Sequence, residues 1–143
     1  MTKAELLNRI ANDRGEIRTI QIHLSEIRPD VTTLKTYHTN VTDNGTSIGN
    51  FDITDGNNWK KDLCDTAVEM KGTLKENLDV DSTSIQTLRT QLNSAISNME
   101  SRISDLHDDI SWCQAEIERI EEEERISAAQ QQAQNAKATQ KAV

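Results

Sequence analysis

The chain has 143 residues, with 24 acidic against 16 basic side chains for a net charge of −8, and is only 34% hydrophobic and 3% aromatic. This balance disfavours nucleic acid and anionic membrane surfaces as partners, and the apolar content is too small for a thick globular core. No apolar run approaches the ~18 residues of a bilayer span, and the opening MTKAELLNRI lacks the hydrophobic region of a secretory signal. The expectation is a chain folded in the cytoplasm without membrane insertion.

Glycine and proline are scarce, and the apolar residues recur with a helical period, so the predicted fold is all-α. Thr2 followed by Glu5 is a capping box that starts a first helix near residue 3. Positions 6, 10, 13, 17, 20, 24, 27, 31, 34, 38 and 41 alternate steps of 4 and 3, and all but Asp13 and His38 are Leu, Ile or Val. That is a heptad seam, which carries through Pro29 and predicts a kink there rather than an end. Asn44 and Gly45 suit a left-handed C-cap, which puts a bend at 44–57.

The bend holds Gly45, Gly49 and Gly56 together with Phe51, and Trp59 falls in the first turn after it. Asp55, Gly56 and Asn57 start the second helix, whose apolar or small residues continue at 59, 63, 67, 70, 74 and 78. Thr83 and Gln86 form a second start signal, so the arm either continues or breaks near 79–83. From Ile85 the seam runs 85, 88, 92, 96, 99, 103, 106, 110, 113, 117 and 120, with a stutter around Leu92. At ~1.5 Å per residue the arms span ~60 Å and ~105 Å, so the second overhangs the first or folds back into a third helix. The architecture predicted for 1–127 is an elongated antiparallel hairpin of two helices, or three, with coiled-coil-like packing. The Ala/Gln-rich segment 128–143 has no apolar face and is expected to be disordered.

Little here carries chemistry. His23, His38 and His107 lack the Glu-x-x-His spacing of di-iron bundles, and the glycines lack phosphate-loop spacing. Cys64 and Cys113 lie within helical pattern without CxxC spacing and read as reduced, partly buried thiols. No metal, no cofactor and no catalysis are expected. His38 reads as a polar residue that sets register, and the run Glu121 to Glu124 as a solvated face. Leu7, Ile22, Val68 and Trp112 are apolar off the seams, as a hetero-partner requires. Trp112 lies about 200° around the helix from Ile110, with Glu116 one turn later on the same side, so this pair is a candidate binding face.

Two long helices joined by a glycine-rich bend with Trp59 at its far side resemble the WXG superfamily, small helical hairpins exported by type VII secretion systems of Gram-positive bacteria. The chain reads Trp59-Lys60-Lys61, with lysine where that family has glycine. Its length, longer second arm and Gln-rich C-terminus are more similar to the small helical partners encoded beside LXG toxins. The resemblance implies a non-catalytic targeting adaptor that packs on the helical N-terminal domain of an LXG-type toxin, beside a second small helical partner, and is co-exported with it. The family's export signal, an aromatic residue followed four positions later by an acid, matches Phe51 with Asp55 and Trp112 with Glu116. The candidate partner-binding residues are therefore Phe51, Asp55, Trp59, Trp112 and Glu116. The alternative reading is a self-associating coiled-coil protein, with a homodimer as its simplest form.

Overall fold

The computed structural model describes residues 1–53 and 61–141. It contains two helices, α1 (Lys3–Asn50, 48 residues) and α2 (Lys61–Lys141, 81 residues), and no strand among the described residues. They pack against each other antiparallel as a helical hairpin, the all-α fold expected. The capping box forms: Glu5 N–H donates to Thr2 Oγ1 at 3.3 Å, and Thr2 N–H donates to a Glu5 carboxylate oxygen at 2.7 Å. Thr2 and the neighbouring backbone also hold the Glu5 carboxyl below the usual range.

The helices form two compact units. The terminal unit comprises Met1–Ile22 and Met99–Val143. Its core is a seam of Leu6, Ile10, Ile17, Leu106, Ile110 and Cys113, with Ile20, Ile103, Ile117 and Ile120 packed around it. Cys113 is fully buried, and burial, followed by the charge of Asp109, pushes its thiol above the usual value. Interhelical ion pairs flank the seam: Lys3 with Glu121, Arg9 with Asp109, and Arg102 with Glu16 at 2.8 Å.

The central unit, His23–Asn98, is thinner. Leu24 is its one buried large apolar residue among those described, and Ile27, Val31, Leu34, Leu78, Ile85 and Leu92 are half-buried. Polar groups share the seam. Ser82 Oγ lies 3.1 Å from His38 Nε2 and 3.4 Å from Thr42 Oγ1, so His38 is hydrogen-bonded across the helix pair at a seam position. Arg89 is half-buried with its Nε lacking a hydrogen-bond partner.

Several expectations need correction. The bend does not begin at residue 44: α1 runs on to Asn50. Gly45 and Ile48 continue the heptad, so helix pairing outweighs the local C-cap preference of Asn44-Gly45. The arm does not break at 79–83, and there is no third helix among the described residues. Thr83 Oγ1 donates to Asp79 C=O at 3.0 Å, inside the helix, instead of accepting a backbone N–H as a cap does. Residues 128–141 are helical rather than disordered, consistent with Ala, Gln and Lys propensity and no interior Gly or Pro. There is also no stutter. Arg89 sits inward and Leu88 is exposed, so 78, 82, 85, 89, 92 and 96 keep a regular heptad.

Candidate functional site

The end of α1 is built by both helices. Phe51 N–H donates to Ser47 C=O at 3.1 Å, which closes the last turn. That turn has no basic residue of its own. Lys71 on α2 supplies the charge: Nζ donates to Gly49 C=O at 3.1 Å and to Phe51 C=O at 2.5 Å, satisfying carbonyls at the negative end of the helix dipole. Lys71 must therefore turn inward, and this sets the face that α2 presents.

The inward, half-buried positions at the start of α2 are Cys64, Ala67, Lys71 and Leu78. Leu63, Met70 and Leu74, three of the positions expected to continue the seam, are instead 57%, 68% and 48% exposed. Next to them Phe51 is 63% exposed. Ile48, Phe51, Ile53, Ala67, Met70 and Leu74 line an apolar cleft of about 640 Å³ with Lys71 and Ser47 at its border. The missed signal was the register. Counting back from Leu78 in heptad steps reaches 74, 71, 67 and 64, and leaves 63 and 70 outside, with Leu74 at the edge of the seam.

Phe51 thus belongs to the cleft. Asp55 and Trp59 lie outside the described residues, as does the expected helix start at 55–57. Trp112 is in the terminal unit and 49% exposed. It does not stand clear of α1, because the Arg9 guanidinium lies over its ring, 5.6 Å from the centroid and within cation–π range. Arg9 also grips Asp109 through both oxygens, and this hydrogen bonding raises its already high pKa.

Glu116 is half-buried and accepts two hydrogen bonds from Arg119, at 3.1 and 3.0 Å. Its carboxylate is therefore engaged within α2. The acidic run is likewise matched rather than simply solvated: Glu121 meets Lys3, Glu122 meets Arg125 at 2.6 Å, and Glu123 meets Arg119.

Behind Arg9, Asp13 occupies a seam position. Its Oδ2 is buried without a hydrogen-bond partner. Burial first, and the adjacent Asp109 carboxylate second, raise its pKa above the usual carboxylate value. Among the described residues no group of His, Cys, Asp and Glu is disposed to hold a metal ion, and no helix is long and apolar enough to cross a membrane. No protein family, curated protein or solved structure matches this chain.

Proposed function

We propose that the chain is a non-catalytic helical adaptor that pairs with the helical N-terminal domain of a larger effector, of the LXG-toxin kind implied by the resemblance. On this reading it folds in the cytoplasm, targets the effector to type VII secretion and is co-exported with it. The observation supporting this is the unmatched apolar face of the central unit. Leu63, Met70 and Leu74 lie seven and four residues apart on one side of α2, and Phe51 and the cleft stand beside Met70 and Leu74. An apolar stripe at that spacing is the surface an amphipathic helix covers, each residue entering between side chains of the incoming helix. Exposed apolar area of this extent, in a chain with so few apolar residues, is the pattern of an interaction surface.

The test is co-expression with the helical N-terminal domain of the effector encoded beside this chain, followed by mass measurement of the purified complex. A stoichiometric heteromeric complex that Met70→Glu with Leu74→Glu weakens by roughly tenfold or more is the expected result. A homo-oligomer that ignores the effector domain would favour the self-associating coiled coil instead.

A further inference from the structure

The seam of the terminal unit has two unlike edges. One is closed by the Arg9–Asp109 and Glu16–Arg102 pairs. The other, beyond the Lys3–Glu121 pair, opens into a groove of about 380 Å³ with Ile17 and Ile110 on its floor and Arg14, Arg18 and His107 around it. Ile17 and Ile110 are buried, whereas Arg14, Arg18 and His107 are exposed.

The terminal unit is rich in carboxylates, and Lys3, Arg9, Arg102, Arg119 and Arg125 each meet one. Arg14 and Arg18 meet none among the described residues. They stand four apart on α1, so their like charges face each other on one side of the helix, an arrangement unfavourable by itself. Ala11, Gln21, Ser104, Ser111 and Gln114 on the neighbouring turns are uncharged and supply no compensating acid. At about 100° per residue, Leu7, Arg14, Arg18 and Ile22 fall within about 80° of one another around α1, and Leu7 and Ile22 are 50% and 57% exposed. The face of α1 that borders the groove thus offers an exposed apolar residue at each end and two guanidiniums between, the latter suited to paired carboxylates.

We infer that this groove docks an acidic amphipathic helix of a partner protein, with carboxylates one turn apart on Arg14 and Arg18 and apolar residues on Ile17, Ile110, Leu7 and Ile22. The occupant is identified by charge complementarity: two guanidiniums without a carboxylate partner among the described residues border an apolar floor. This is a second surface, distinct from the apolar face of the central unit. It rests on the adaptor reading only in requiring a helical partner.

The test uses the full chain and a stapled helical peptide of about 20 residues, long enough to span Leu7 to Ile22 at ~1.5 Å per residue. The peptide carries Leu on one face with two Glu one turn apart at its centre, and its control carries Lys in place of Glu. The expected result is saturable binding of the Glu peptide, at least about tenfold tighter than the Lys peptide and weakened by salt. Arg14→Gln with Arg18→Gln should lose about tenfold with an unchanged melting temperature, and Arg14→Glu with Arg18→Glu should reverse the preference between the peptides. Equal binding of the two peptides, or binding unaffected by the Gln pair, overturns the inference. So does a wild-type dimer that the Gln pair dissociates, which makes a second copy the occupant, or preferential binding of single-stranded DNA. Each of these leaves the effector complex and its sensitivity at Met70 and Leu74 to be judged separately.

Discussion

The terminal and central units use the same two helices and the same heptad, yet they differ in what fills the seam. The terminal unit buries Leu6, Ile10, Ile17, Leu106, Ile110 and Cys113 to 7% exposure or less and flanks them with interhelical ion pairs. The central unit sets His38, Ser82 and Arg89 among half-buried aliphatics. Its half of α1 is also rich in threonine. Thr32, Thr33, Thr36, Thr39, Thr42 and Thr46 each donate a side-chain hydrogen bond to the carbonyl four residues back, which slightly weakens helices. Helix pairing is therefore anchored in the terminal unit, whereas the central unit keeps apolar groups outside its own interface. A unit with a marginal interior and a large exposed apolar face gains most from a partner, by the mass-action stabilisation that any ligand of the folded state supplies.

The largest test of this contrast removes core volume in each unit. Leu106→Ala, at a site 3% exposed, should cost about 2 to 5 kcal/mol in urea unfolding, whereas Leu92→Ala at a half-buried site should cost less than about 2 kcal/mol. Equal costs would erase the distinction. Native-state hydrogen exchange should likewise find the slowest amides around 6–20 and 103–117.

Asp13 is the exception within the strong unit. Asp13→Leu should stabilise the chain by about 1 to 3 kcal/mol, because it removes a buried oxygen that lacks a hydrogen bond. Its pH signature has a definite sign. The folded state raises the Asp13 pKa, so its stabilising contribution is full below the ordinary carboxylate value of about 3.9 and is lost as pH rises through the folded value. Glu5, Glu16 and Glu121 behave oppositely. Their hydrogen-bonding partners, Thr2, Arg102 and Lys3, lower their pKa values, so their contribution is present above the ordinary range and lost on acidification through the folded values. Urea midpoints between about pH 3 and 7 should therefore fall more steeply on acidification for Asp13→Leu than for wild type. Parallel curves would remove Asp13 as a titrating group.

Lys71→Met should cost about 0.5 to 1.5 kcal/mol, since it withdraws the donor from the Gly49 and Phe51 carbonyls. The loss should appear as faster exchange at residues 47–51, with the terminal unit unchanged. A uniform effect would mean that the two units do not respond separately.

The smallest predicted effect tests the end of α1. A Cβ added at Gly45 would lie 3.9 Å from Leu78 Cβ, an ordinary contact, and the backbone there is helical. Gly45→Ala should then stabilise the central unit by about 0.5 to 1 kcal/mol. A left-handed C-cap at that position predicts the reverse, so the direction of a small melting shift is decisive.

The helical class, the start of α1 and the seam from Leu6 to Val41 were legible in the sequence, because capping and heptad spacing depend on neighbours a few residues apart. Register between the arms was not, since it depends on which residues of α2 α1 can reach. The Lys71 ammonium is drawn to the end of α1, which turns Leu63 and Met70 outward. Arg89 takes the seam in place of Leu88, although hydrophobicity alone ranks them the other way. Gly45 and Thr83, local stop and start signals, are overruled because helix pairing continues past both. Sequence alone determined that this chain is all-helical with more apolar residues than one seam can hide. Only the tertiary structure decided which of them stay exposed, because an interhelical contact on one face of a helix commits every residue on that helix to a side.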